Sequence, residues 1–193
     1  MTPTEQYIKL LTGLKPGALG LLRTHAGQGL DETVDGFDLF TGLWWPLRRR
    51  NERAPRRQVA WLIAKLYALR PIKHSPGETL PRQLAKLRPD EERAQKRFRQ
   101  KVDKQKRFRR KVDKMLTLPL DKIEPALQWA LDLLGSKGLK LDWVSLTNDL
   151  SIWERESVRL KWAEEFLKST KEDSDVDRNS HDSKPQPGQP EPG

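Results

Sequence analysis

One stretch of the chain, residues 56–70, constrains the fold more than any other. It reads RRQVAWLIAKLYALR, and on a helix its apolar side chains fall on nearly every face, with Lys65 as the only interior charge. Such a helix has to be buried on most of its faces, because apolar surface is unfavourable in water. The sequence therefore predicts a core helix over residues 56–70, ended by Pro71.

The other periodic segments also have helical spacing, and almost nothing alternates as a strand does. At the N-terminus, Thr2 and Glu5 have the spacing of a capping box, with Pro3 in the first helical position. We expect Pro46 and Gly135 to end two of the later helices. The patterns together predict an all-α protein of eight or nine helices, over about residues 2–14, 18–24, 37–44, 56–70, 80–87, 121–134, 142–153 and 156–168, with a further helix from residue 89 through a basic segment.

The chain is predicted to divide into three parts. From Ser169 onward it has one aliphatic residue, four prolines, and six acids against three bases. A segment of this composition cannot bury enough apolar surface to offset the cost of ordering, so residues 169–193 are predicted to be a disordered acidic and proline-rich tail. The rest is predicted to form two small helical bundles, over residues 1–88 and 89–168.

Several classes of protein are excluded. With a mean hydropathy of −0.81 and no long apolar run, the chain is not an integral membrane protein. The N-terminus lacks the features of a signal peptide, so we expect a cytoplasmic location. There is no cysteine, and the three histidines are far apart and expected to be solvated. We find no catalytic constellation and expect no metal, no cofactor and no enzymatic activity.

The positive charge of the chain is concentrated in one segment. The formal net charge is +10, and residues 93–114 contain twelve Lys and Arg against only Asp103 and Asp113. Because this segment alone accounts for the excess, the remaining residues are formally neutral. The chain therefore carries one basic element on a neutral body.

This basic segment contains a tandem repeat. Residues 95–104 read QKRFRQKVDK and residues 105–114 read QKRFRRKVDK, which differ only at Gln100 and Arg110. At about 100° per residue, the apolar side chains of both copies share one arc of about 140°. The segment is thus predicted to be one amphipathic helix, about 33 Å long over residues 93–114. We call its cationic face the basic ridge and expect it to bind nucleic acid through Arg93, Lys96, Arg97, Arg99, Lys101, Arg107, Arg110, Lys111 and Lys114.

Other interpretations of the basic ridge stay open. A charge run is usually a solvated face, although solvated faces normally mix signs and this segment has twelve bases against two acids. A basic amphipathic helix also fits a membrane surface or a calmodulin-like partner, but the few apolar residues here are better used to dock the helix on its own core. If the ridge binds nucleic acid, contact with about six single-stranded phosphates predicts a slope of about −4 for the logarithm of affinity against the logarithm of salt concentration.

A second set of cations precedes the core helix. The arginine cluster comprises Arg48, Arg49, Arg50, Arg53, Arg56 and Arg57, with Glu52 as the one acid among them. We place it in the loop before the core helix, where guanidinium groups suit phosphate oxygens. Of the seven tryptophans, Trp44 and Trp45 are the candidates for stacking on bases, since Trp61, Trp143, Trp153 and Trp162 lie on predicted core faces.

The C-terminal pattern LDWVSLTNDLSIWERESVRLKWAEEF, residues 141–166, resembles the end of the CasB family, the small subunit of the type I-E CRISPR complex Cascade. The core helix, the segment GETLPRQLAKL and the N-terminal LKPGALGLLR are similar to that family as well. Lys96-Arg97-Phe98 looks like its basic-then-aromatic motif. The resemblance covers roughly residues 5–168.

The resemblance implies an all-helical, non-catalytic subunit, present as two copies in a crRNA-guided surveillance complex. Its implied partners are the backbone and large subunits, a second copy of itself, the crRNA, and the target and non-target DNA strands of the R-loop. Basic residues that face nucleic acid in the family correspond here to Arg23, Arg56 or Arg57, Arg82 and Arg97.

The sequence departs from the family pattern in two places. The ten-residue duplication leaves open which copy is equivalent to the family's basic-then-aromatic motif, and Gln128-Trp129 stands where members often have arginines. A structural adaptor, whose basic ridge docks on an acidic protein partner, is the alternative to a nucleic-acid clamp.

Overall fold

The structure, a computed structural model, describes residues 1–29, 35–88 and 98–179, with side chains described in 1–29, 38–88 and 103–168. These parts of the chain contain nine α-helices and no β-strand, so the all-α prediction is confirmed. The helices are α1 (Pro3–Thr12), α2 (Pro16–Thr24), α3 (Asp35–Arg50), α4 (Arg57–Leu69), α5 (Leu80–Lys86), α6 (Phe98–Thr117), α7 (Glu124–Ser136), α8 (Trp143–Ser151) and α9 (Glu156–Asn179).

Helix α4 is the predicted core helix. Every residue from Val59 to Ala68 is buried, including Lys65. The helix is covered from several sides, by α2 and α3 from the N-terminal half of the chain and by α7 and α8 from the C-terminal half. An all-round apolar helix can be buried only by several neighbours, and the order of helices in this chain supplies them.

A buried ion pair ties α4 to α7. The Lys65 Nζ lies 2.7 Å from Glu124 Oε2 and also donates to the Gln28 carbonyl at 2.7 Å. The other carboxylate oxygen of Glu124 accepts from the Gly27 N–H at 2.9 Å. The pair thereby satisfies the one charge inside the core helix and fastens the loop after α2 to both helices.

The tryptophans of the C-terminal pattern are core residues, as predicted. Trp143, Trp153 and Trp162 are all almost completely buried. Their indole N–H groups donate to the Ile72 carbonyl, the Leu118 carbonyl and the Asp149 carboxylate, at 2.9, 2.8 and 2.7 Å respectively. Each large ring is therefore buried with its polar atom satisfied.

The predicted starts of helices are more accurate than the predicted ends. The capping box of Thr2 and Glu5 is present at the start of α1. Pro46, however, does not end α3, and Gly135 does not end α7. Pro46 is exposed, so water can solvate the carbonyl group that its missing N–H leaves free, and the helix continues for another turn. The left-handed turn after α7 is made by Gly138, with φ +64°.

The predicted end of the last helix at residue 168 is wrong, because the backbone of α9 continues for eleven more residues to Asn179. Extending an existing helix costs little, and the prolines that characterise the tail begin only at Pro185. The rest of the predicted tail lies outside the described residues. His25 and His74 are half-buried rather than solvated, because the loops that carry them pack against the core. His181 also lies outside the described part.

The described buried residues of the two predicted bundles form a single hydrophobic cluster. It runs from Tyr7 in α1 to Phe166 in α9, and α5 from the first half packs against α9 from the second. The boundary between residues 88 and 89 stays a prediction, since residues 89–97 lie outside the described part of the chain.

Removing one member of the buried ion pair is expected to destabilise the fold. Glu124→Leu leaves the Lys65 ammonium buried without its carboxylate, which lowers the free energy of unfolding by about 3 kcal/mol. The double variant Lys65→Met/Glu124→Leu recovers most of this loss, because an apolar pair replaces the ionic one. Urea unfolding measures both. An equal loss in the single and double variants would contradict this account.

Tyr7 makes stability depend on alkaline pH. Its hydroxyl donates to the Ala60 carbonyl at 2.6 Å, and burial raises the pKa of Tyr7 well above its ordinary value of 10.0. The folded state then holds the proton more tightly than the unfolded state. The resulting contribution of Tyr7 to the free energy of unfolding is complete below pH 10.0 and is lost progressively as the pH rises above that value. Tyr7→Phe is expected to lose less stability between about pH 8 and about pH 11 than the unmodified protein does.

Candidate nucleic-acid interface

Helix α6 docks on the body of the protein through one apolar stripe. Val112 and Met115 are buried, and Phe108 and Leu116 are partly buried against the core. The stripe matches the arc predicted from the sequence for the second copy of the repeat. The side chains of residues 98–102 in the first copy lie outside the described part.

Phe108 lies between aromatic rings of two other helices. Its ring centroid is 5.6 Å from that of Trp129 in α7, edge to face, and 6.2 Å from that of Phe166 in α9, nearly parallel. Such pairs stabilise beyond the area that they bury. The aromatic contacts described for α6 therefore belong to the second copy of the repeat.

The docked stripe leaves the cations of α6 facing outward. In residues 103–114 every Lys and Arg is exposed, and none of them forms an ion pair with another described residue. At about 100° per residue, three of them form a row directly opposite the apolar stripe. We call this set the outer row, and it consists of Lys106, Arg110 and Lys114. Arg107 is exposed beside it, and the acids Asp103 and Asp113 are exposed on the same helix.

Lys111 differs from the other predicted contacts on this helix. Its Nζ lies 4.9 Å from the centroid of the Trp129 ring, in a cation–π contact. Trp129 occupies one of the two positions where arginines are common in the resembled family. Here its ring contacts both Phe108 and Lys111, so this position helps to hold α6 in place.

The arginine cluster spans the end of α3 and the start of α4. Arg48, Arg49 and Arg50 form the last turn of α3, so their expected place in a loop is wrong, for the same reason that Pro46 does not end the helix. Arg48 donates to the Ala54 carbonyl at 3.0 Å and to the Glu52 carbonyl, which closes the loop back onto α3. The remaining five side chains of the cluster are exposed.

The other predicted contacts are spread over the surface. Arg23 Nε donates to the Ala68 carbonyl at 3.0 Å, near the end of α4, whereas Arg57 begins that helix. At 1.5 Å per residue these two points are about 17 Å apart along the axis. Arg82 is exposed on α5. For the remaining predicted residues, the backbone alone is described in Arg99 and Lys101, and Arg93, Lys96 and Arg97 lie outside the described residues.

The predicted nucleic-acid contacts omit Lys106, and the sequence does not distinguish Trp44 from Trp45. Lys106 belongs to the outer row, and its spacing of four residues from Arg110 is the sequence signal that identifies it. Trp44 is buried and donates its indole N–H to the Pro55 carbonyl at 2.8 Å, so it has no face free for a base. Trp45 is 52% exposed.

Neither a metal centre nor a membrane span is present in the part of the chain that the structure describes. It contains no group of three or more His, Cys, Asp or Glu side chains suited to a metal ion. It also contains no helix long and apolar enough to cross a membrane.

Comparison with known proteins identifies the family of this all-helical chain. The family model described as CRISPR-associated protein Cse2 matches residues 18–167. The chain belongs to this family, which confirms the resemblance to CasB. No curated protein matches the sequence.

Solved structures of low sequence identity share the fold. CasB from M. ruber is 19% identical, with a TM-score of 0.68 over 91% of this chain and 98% of that one. CasB from Thermus thermophilus is 21% identical, with a TM-score of 0.62 over 86% and 99%. CasB from Thermobifida fusca is 18% identical, with a TM-score of 0.58 over 84% and 94%.

Truncating the central aromatic ring of the docked stripe is expected to loosen α6. Phe108→Ala removes the contacts with Trp129 and Phe166, and for a partly buried ring this lowers the free energy of unfolding by about 2 kcal/mol. The matched control Arg109→Ala removes the exposed side chain of the next residue and is expected to change this free energy by less than about 0.5 kcal/mol. Chemical unfolding of both variants measures the difference, and equal effects would show that Phe108 does not dock the helix.

Proposed function

We propose that this protein is the non-catalytic small subunit of a crRNA-guided CRISPR surveillance complex, Cascade, of type I-E. In this role it binds nucleic acid without sequence specificity and stabilises the target and displaced DNA strands of the R-loop. Its partners are the backbone and large subunits, a second copy of itself, the crRNA and both DNA strands. Membership of the Cse2 family supports the place in the complex.

The observation that carries the nucleic-acid role is the outward orientation of the cations on α6. The apolar stripe is used to dock the helix, which leaves the outer row and its neighbours in water. From Lys104 to Lys114 the helix advances about 15 Å, a length that matches about four phosphates spaced 3.4 Å apart on one strand. A line of cations of this length is complementary to the negative charge of a nucleic-acid backbone.

The residue types indicate binding without sequence specificity. Lys and Arg on an exposed helix face contact phosphate oxygens, which are the same for every sequence. Arg49, Arg50, Arg53 and Arg56 provide further exposed guanidinium groups at the junction of α3 and α4. Arg23 and Arg48 are already bonded to backbone carbonyls, so we propose smaller contributions from them.

Reversing the charge of the outer row tests this proposal. Lys106→Glu/Arg110→Glu/Lys114→Glu is expected to weaken single-stranded DNA binding and to shorten the lifetime of the R-loop in the reconstituted complex. Because each phosphate contact contributes about 0.7 to the slope of log affinity on log salt, losing three contacts lowers the magnitude of that slope by about 2. Fluorescence anisotropy over a salt series measures both quantities.

The matched control carries the same charge change at another place. Lys9, Lys137 and Lys140 are exposed and lie outside both basic regions, so replacing all three with Glu is expected to leave the salt slope nearly unchanged. Equal losses of DNA affinity in the two triple variants would show that net charge alone, and not the outer row, determines binding. If the outer-row variant kept its DNA affinity but failed to join the complex, the ridge would be docking an acidic protein partner instead.

A further inference from the structure

Trp45 has an environment unlike that of the other exposed apolar residues. Among the described side chains it is the only exposed large aromatic residue, and it lies on α3 one turn before Arg49. Residues four apart on a helix are neighbours, so the indole ring and this guanidinium share one face. Arg50 is exposed on the same last turn.

The ring of Trp45 is held on a buried aromatic support. Its centroid lies 5.9 Å from that of Trp44, which in turn is stacked on Phe40 at 5.7 Å. Phe40 is fully buried and meets Trp61 of the core helix edge to face, at 5.4 Å. A ring supported in this way loses little conformational freedom when a ligand covers its outer side.

The same support positions the cationic loop. Trp44 donates to the Pro55 carbonyl at 2.8 Å, and Arg48 closes the loop through the Ala54 carbonyl at 3.0 Å. The loop that carries Arg53 and Arg56 is thereby fastened next to the residues that support Trp45. Neither arginine forms an ion pair with another described residue.

We infer that Trp45, with Arg49, Arg50, Arg53 and Arg56, forms a second nucleic-acid site that stacks one unpaired base and neutralises the phosphates beside it. The exposed cations favour a polyanionic ligand. The exposed ring favours a nucleic acid whose bases have faces free for stacking. A duplex buries its base faces in its own stack, so the ligand class is single-stranded nucleic acid. This site rests on the proposed nucleic-acid function but uses a different surface from the basic ridge.

Two oligomers of equal length separate stacking from charge. The full-length protein is titrated at low salt with an oligothymidine and with an abasic oligomer that has only the sugar–phosphate backbone. Trp45→Ala is expected to weaken binding of oligothymidine about five- to tenfold, the lower part of the range for base–aromatic stacking, and to leave abasic binding unchanged. Trp45→Phe, which keeps a ring, is expected to retain most of the oligothymidine affinity.

Two control variants complete the experiment. Ile152→Ala changes another exposed apolar residue, which follows α8 in sequence, and is expected to change the binding of neither oligomer. Arg49→Glu/Arg53→Glu is expected to weaken both oligomers alike, because the phosphates are common to them.

The outcomes distinguish this inference from the function on which it rests. The stacking site is wrong, while the basic ridge stands, if Trp45→Ala weakens the binding of both oligomers equally or of neither. The same conclusion follows if Trp45→Phe binds oligothymidine as weakly as Trp45→Ala does. If Trp45→Ala impairs only assembly with the other subunits, a protein covers this ring and the inference is overturned. If the unmodified protein binds neither oligomer, both the inference and the proposed function fail.

Discussion

The burial of α4 is the constraint on which the rest of the fold depends. A helix with apolar side chains on nearly every face cannot be stable with one side in water, and it needs neighbours all around it. Here those neighbours come from both halves of the chain, α2 and α3 before it and α7 and α8 after it. The one charge inside α4, on Lys65, is tolerated because Glu124 of α7 supplies the opposite charge at 2.7 Å. That contact adds to the packing that holds the two halves against each other.

The functional surface follows from the opposite kind of helix. Helix α6 has a narrow apolar stripe, and only the few residues of that stripe are needed to hold it on the body through Phe108, Val112 and Met115. The Lys and Arg side chains of residues 103–114 are all left in water. A helix that docked through a broader face would have to bury some of these charges or replace them. The narrow stripe therefore permits a high density of positive charge at low cost to stability.

Much of the fold could be predicted because it depends on local chemistry. Helical spacing, the capping box of Thr2 and Glu5 and the buried tryptophan pattern each involve residues close together in sequence. The errors occur where distant parts of the chain decide. Solvation lets α3 continue through Pro46, and packing against the core half-buries His25 and His74. For the candidate site, the exposure of Arg107, Arg110 and Lys114 could be predicted from their angular positions, whereas the carbonyl contacts of Arg23 and Arg48 could not.

The sequence by itself determined that the chain is helical, that one helix is buried on all sides and that the excess positive charge belongs to one amphipathic segment, since each of these is set by residue type and spacing. Only the tertiary structure decided how neighbouring residues of the same type are used. Trp44 and Trp45 are adjacent and chemically identical, yet one is buried against Phe40 and the other is 52% exposed beside arginines. Successive residues of a helix point about 100° apart, so which of them meets the core depends on how the helix packs, and packing involves partners far away in sequence.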